Sequence, residues 1–142
     1  MARIDREGDF SQFPGMDRTL TLLSGSMVLH LAEGGRQQLA AGSPPFAFSG
    51  ESAIAAEVQQ GPVHDLNVFT RRTAFAHDVW RHPGPALLPP RCEGAIRLIA
   101  ATTEVNAPFA AGDCLMFAEH EPLIVPCAMA DQPCVIIDIW RV

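Results

Sequence analysis

Apolar and polar residues alternate with a period of two along most of this chain, the repeat that sends successive side chains to opposite faces of a β-strand. Arg18 to Leu23 and Met27 to Ala32 follow it on either side of Ser24-Gly25-Ser26, which predicts a hairpin. Gly34-Gly35 turns the chain into a strand over Arg36 to Ala40. Further strands are predicted over Ala53 to Gln59, Asp65 to Arg71 and Ala74 to Trp80. Beyond a proline-rich stretch from His82 to Pro90 come Ala95 to Thr102, Cys114 to Phe117, Leu123 to Cys127 and Cys134 to Val142. No segment sustains apolar residues at helical spacing between caps. The pattern predicts an all-β protein.

Turn signals recur roughly every 8 to 12 residues, as in sandwiches and barrels. The 142 residues suit a single domain over 1–142, whose folding buries roughly two-thirds of the unfolded chain's surface. The loop HPGPALLPPRCEG is stiffened by proline and is expected as a crossover between two β sub-units meeting near 81–93.

Composition narrows the chemistry. A net charge of −6 repels phosphate backbones, and Arg71-Arg72 is too small a basic patch to offset it, so no nucleic-acid partner is expected. All ten basic residues are arginine, and Lys and Tyr are absent, which removes Schiff-base lysine and tyrosine acid catalysis. Four cysteines without a CxxC pair, and no apolar leader, point to reduced thiols in the cytoplasm. No apolar run reaches the ~18 residues of a membrane span.

Two segments place charged residues against apolar strands. In Asp65 to Arg71, the side chains of Asp65, Asn67, Phe69 and Arg71 share one face. Lining a barrel, this face would offer a carboxylate, an amide and a guanidinium to a small polar ligand, with Arg71 gripping a carboxylate through two hydrogen bonds. Facing solvent, Asp65 and Arg71 would make separate surface contacts. In the second segment, Asp17-Arg18 follows the turn signal Phe13-Pro14-Gly15, and Arg18 shares its face with Leu20 and Leu22. A cation on an apolar face needs a partner. Arg18 either sits at a pocket mouth or snorkels outward beside Asp17.

The remaining candidates are weaker. No HxH pair occurs among His30, His64, His77, His82 and His120, so neither a metal nor another cofactor is expected, although a two-histidine, one-carboxylate site from His30, His64 or His77 stays open. His120-Glu121 is expected in a solvated turn. Nucleophile elbows, phosphate loops and dinucleotide fingerprints are absent. Cys114 is expected to be a small packed residue, and Trp80 and Trp140 to anchor core edges.

Phe10-Ser11, Phe13-Pro14-Gly15, Asp17-Arg18-Thr19-Leu20, Pro45-Phe46 with Phe48, and Gly61-Pro62 with Asp65, Asn67 and Thr70-Arg71-Arg72 together resemble the HutD/Ves family. The resemblance is carried by positions 10 to 72. It implies a cupin-like fold of two β-barrel halves. It also implies a non-catalytic regulator associated with histidine utilisation that binds a small carboxylate metabolite such as N-formylglutamate. Arg18, Asp65, Asn67 and Arg71 are then the ligand-binding set, and a homodimer is left open. Family members carry about forty to fifty further residues before a strand matching Ala2-Arg3-Ile4, so against the resemblance either the start at Met1 is misassigned or the chain is truncated. Two other readings stay open: a cupin-type isomerase or oxygenase acting on a small acid, and a protein-interaction domain.

Overall fold

The computed structural model describes residues 1–82, 87–88, 94–101, 114–117, 123–124 and 134–142. Among them there are twelve strands and no helix, so none is long and apolar enough to cross a membrane. The chain packs as two compact units, Met1–Thr73 and Ala74–Val142. Of the proline-rich crossover only His82, Leu87–Leu88 and Gly94 fall among the described residues, and His120, Cys92 and Cys127 fall outside them.

The first unit holds β1 (Ala2–Ile4), β2 (Gly8–Asp9), β3 (Met16–Leu31), β4 (Arg36–Ala40), β5 (Phe46–Ser49) and β6 (Ile54–Arg71). They form one antiparallel sheet in the order β1-β6-β3-β4, with β2 added to β6 and β5 to β3. Two expectations are corrected here. The predicted hairpin at Ser24-Gly25-Ser26 is instead a bend inside the 16-residue β3. Likewise, the two strands predicted on either side of Gly61-Pro62 are one 18-residue strand, β6.

The reason is that β3 and β6 pair with each other along their whole length, from Met16↔Arg71 to Leu31↔Ile54. Their turn-like residues face one another and bend both strands together. Register shifts between Leu22 and Met27 mark a series of bulges there. Gly25 has φ 75°, and a Cβ on it would lie 2.5 Å from the carbonyl oxygen of Gln60. Only glycine permits that approach.

The bulges also rephase the strands. Leu20 and Leu22 before the bend, and Met27 and Leu29 after it, all reach the same buried core despite their opposite parity. Leu39, Ile54, Ala56 and Val63 complete that core, with Phe10, Phe46 and Phe48 packed against it. Each of the Leu, Ile, Val and Met side chains contributes about 1.5–3 kcal/mol when fully buried.

In the second unit, β7 (Phe75–His82), β9 (Ile96–Ala100), β10 (Cys114–Phe117) and β12 (Cys134–Arg141) form an antiparallel sheet in the order β10-β9-β12-β7. β8 (Leu87–Leu88) and β11 (Leu123–Ile124) form a two-stranded ribbon. The run Cys134–Asp138 is buried on both faces, as befits a central strand. Asp138 is tolerated there because Arg97, its cross-strand neighbour, donates two hydrogen bonds to it at 2.7 and 2.8 Å. Cys134 is buried, but Cys114 is exposed, contrary to the packed position expected for it.

Candidate functional site

Antiparallel register brings the two predicted segments side by side. Leu22 pairs with Asp65, Leu20 with Asn67, Arg18 with Phe69 and Met16 with Arg71. On the other flank of β3, β5 sets Phe48 against Arg18 and Phe46 against Leu20. Arg18 therefore lies on the core side of the sheet, between two phenylalanines. It is 5% exposed, so it does not snorkel outward.

Four rings enclose its guanidinium. The central carbon lies 4.5 Å from the Phe69 ring centroid, 4.8 Å from Phe48, 5.3 Å from Phe13 and 5.4 Å from Phe10. All four are within range of a cation–π attraction. Phe13 and Phe69 also meet edge to face at 5.1 Å, and both are partly exposed, so they form the outer side of the cage.

The polar contacts of Arg18 go to neutral oxygens. Nη1 donates to the Ser11 carbonyl at 3.0 Å, and Nη2 donates to Asn67 Oδ1 at 3.2 Å. Asn67 Nδ2 in turn donates to Asp65 Oδ2. Asp65 thus orients the arginine through Asn67 rather than touching it. Among the described residues, Arg18 Nε and Asp65 Oδ1 are buried without a hydrogen-bond partner. Burial pushes the Arg18 pKa down, partly offset by Asp65. Burial pushes the Asp65 carboxyl up, against the pull of the Met1 ammonium and Arg18.

The structure thus joins three of the four predicted residues, Arg18, Asn67 and Asp65, in one hydrogen-bonded row. Arg71 lies on the same face at the end of β6, but it is exposed and has no hydrogen bond or ion pair among the described residues. The histidine candidates go separate ways. His30 Nε2 lies 2.8 Å from Glu57 Oε2, and His64 Nδ1 lies 2.9 Å from Ser24 Oγ. Among the described residues no three His, Cys, Asp or Glu side chains are grouped to hold a metal ion.

Sequence reasoning missed the cage and a second charged cluster. Asp17, next to Arg18, points to the opposite face and accepts a hydrogen bond from Arg72 Nε at 2.8 Å. Arg72 also reaches the Met16 carbonyl at 3.2 Å and Glu51 Oε2 at 3.1 Å. Glu51 accepts from the Gly15 amide at 2.6 Å and from Ser49 Oγ. The hydrogen bonds from Ser49, the Gly15 amide and Arg72 hold its carboxyl down at about 2. The one signal for this cluster was the pair Arg71-Arg72, whose members face opposite sides of the strand. For the cage it was the parity of Phe69 with Asn67.

Comparison with known proteins agrees with this architecture. The HutD family model matches residues 1–134. Protein Ves of Citrobacter koseri is 37% identical over 73 residues, 51% of this chain and 38% of that protein. Protein Ves of Escherichia fergusonii is 36% identical over 72 residues, 50% of this chain and again 38% of the relative. The match therefore spans well under half the length of these relatives.

Among solved structures, HutD from Pseudomonas fluorescens SBW25 superposes with a TM-score of 0.78 at 20% identity, covering 99% of this chain and 76% of that one. A conserved protein of unknown function from Pseudomonas aeruginosa PAO1 gives 0.72 at 22%, covering 98% and 76%. At these identities the likeness concerns the cupin-like all-β fold alone. With the family model covering nearly the whole sequence, the chain belongs to the HutD family.

Proposed function

We propose that this chain is a cytoplasmic, non-catalytic regulator that binds a small carboxylate metabolite at Arg18, with Asn67 and Asp65 orienting the guanidinium and Arg71 on the approach. The observation that carries the reading is the chemistry around Arg18. A buried guanidinium is surrounded by rings and neutral oxygens, and its Nε has no partner among the described residues. Arg97, by contrast, is held by a carboxylate, Asp138. A buried guanidinium is costly without an anionic partner, and its planar fork suits a carboxylate, so a bound anion would supply what the protein does not.

The cavities of about 430 and 460 Å3 in the same unit share only Phe10 and Phe48 with the cage, and neither is lined by Arg18, Asp65, Asn67 or Arg71, so a ligand reaches Arg18 from the side of the partly exposed Phe13 and Phe69. Membership of the HutD family supports the association with histidine utilisation, and N-formylglutamate is the ligand that best combines a carboxylate for Arg18 with an N–H for Asp65.

Calorimetry with N-formylglutamate and urocanate tests the reading on the parent, Arg18→Ala, Asn67→Ala and Arg71→Ala. Loss of a charge-assisted contact at Arg18 is expected to cost about 2–5 kcal/mol, a thirty- to several-thousand-fold loss of affinity. Parent-like affinity in both arginine variants would place the site elsewhere. A parent that binds neither compound, with or without upstream residues, would favour the protein-interaction reading.

A further inference from the structure

Three of the groups around Arg18 come from a stretch with no strand pairing of its own. Phe10, Ser11 and Phe13 lie between β2 and β3, and supply two rings and the carbonyl that accepts from Nη1. An unpaired segment holds a fixed conformation only if other groups tie it down. Its backbone bonds are Phe10 N–H to the Ile54 carbonyl at 2.8 Å and Phe13 N–H to the Gly50 carbonyl at 2.7 Å. At its far end, the Met16 carbonyl accepts from the Gly50 amide at 2.8 Å and the Gly15 carbonyl accepts from the Arg72 amide at 3.0 Å. The side chains that join this stitching are Glu51, on the Gly15 amide, and Arg72, on the Met16 carbonyl.

We propose that Glu51 and Arg72 are positioning residues for the Arg18 site: an ionic clamp on one face of the sheet that holds the 10–16 segment in the conformation that roofs Arg18 on the other. The two faces follow from strand geometry. Asp17, which binds Arg72, and Arg18 are consecutive in β3, so their side chains diverge. The clamp therefore acts on Arg18 through the backbone of Gly15 and Met16, and then through Phe13 and Ser11. Ser49 donates to Glu51 and also accepts from Arg72 Nη2 at 3.1 Å, so both ends of the ion pair are held by a third group as well as by each other. This inference rests on the reading of Arg18 as the ligand anchor, but its first test needs no ligand.

That test is proton–nitrogen NMR of the Arg18 Nε–H group in the parent, Glu51→Gln, Arg72→Gln and Ser49→Ala, with Asp5→Asn as a surface control. Four rings surround this guanidinium, so its Nε proton resonates away from that of a solvated arginine in the parent. In Glu51→Gln and Arg72→Gln it is expected to move towards the solvated value and to exchange faster with water. The methyl signals of Leu20 and Leu22, one and two rows deeper on the same face, stay in place. Ser49→Ala, which weakens the clamp without removing a charge, gives a smaller change in the same direction, and Asp5→Asn gives none. A merely structural role would move the leucine signals together with Arg18.

Unchanged Arg18 signals in both charge variants, or joint displacement of Arg18 and the leucines, would overturn the proposal. The second arm measures N-formylglutamate binding, where about a tenfold loss is expected in Glu51→Gln and Arg72→Gln, the scale of ~1.4 kcal/mol of lost preorganisation. Loosened Arg18 signals with no binding even by the parent would sink the ligand reading and leave the clamp standing. Loosened signals with undiminished affinity would show that the clamp does not serve the site.

Discussion

The same substitution at the two arginines buried among the described residues, Arg18→Met and Arg97→Met, is expected to give unequal losses of stability. Arg97 donates at 2.7 and 2.8 Å to both oxygens of Asp138, a residue with no exposed surface. Replacing Arg97 removes two charge-assisted hydrogen bonds from that buried carboxylate, which costs about 3–5 kcal/mol. Among the described residues Arg18 touches no carboxylate. Its loss leaves two neutral acceptors, the Ser11 carbonyl and Asn67 Oδ1, short of a donor, at about 1–3 kcal/mol together. It also forfeits cation–π contacts of about 0.5–2 kcal/mol each to four rings.

Two gains oppose those losses. The desolvation penalty of a buried guanidinium, several kcal/mol, disappears. Methionine, close to arginine's stem in length, also packs its thioether on the aromatic rings for about 0.3–1.5 kcal/mol. The gains offset much of the loss, so Arg18→Met is expected to cost less than Arg97→Met, which loses at least about 3 kcal/mol. Urea titrations read the difference, with circular dichroism following the whole chain and fluorescence following Trp80 and Trp140 in the second unit. With a slope of about 1–3 kcal/mol per molar urea, the Arg97 variant shifts its midpoint by 1 M or more. An Arg18→Met loss equal to that of Arg97→Met would refute the argument, because it would make Arg18 a structural ion-pair member with no charge to spare for a ligand.

Gly50→Ala is expected to destabilise the first unit by about 1–3 kcal/mol in the same assay, since its Cβ would overlap the carbonyl oxygens of Phe13 and Met16. Glu51 sits at about 2, well below its unfolded value of 4.5, so its contribution is complete above pH 4.5 and is lost as pH falls towards 2. Glu51→Gln should therefore flatten the acid limb of stability against pH, and an unchanged limb would argue against the clamp. Asp65 shifts the other way. Its folded carboxyl lies above 3.8, so the folded state holds the extra proton just above that pH and stability falls as pH rises through the folded value. Facing groups are Arg18, Asn67, His64 and the Met1 ammonium, and Asp65→Asn, which cannot ionise, should remove that fall in a thermal-melting series.

Fold class was legible because alternation is a local property, and so was the shared face of Asp65, Asn67, Phe69 and Arg71. The two long strands were not. Ser24-Gly25-Ser26 and Gly61-Pro62 carry the composition of turns, and only their mutual pairing makes them bulges in strands that continue. The side on which the core lies was hidden as well, since Arg18, Leu20 and Leu22 are buried on one face of β3, and Thr19 and Thr21 on the other.

The site itself depends on contacts that no local pattern encodes. Its four rings come from the segment before β3, from β5 and from β6, and meet only after the sheet has formed. Adjacency in sequence points the wrong way here. Asp17 and Arg18 look like a ready-made ion pair, yet neighbours on a strand diverge. Asp17 finds Arg72, 55 positions away, and Arg18 finds Asn67, 49 positions away. That divergence separates the two charges. Asp17 is used on the other face to hold the loop, and Arg18 meets the nearest buried carboxylate, Asp65, only through Asn67.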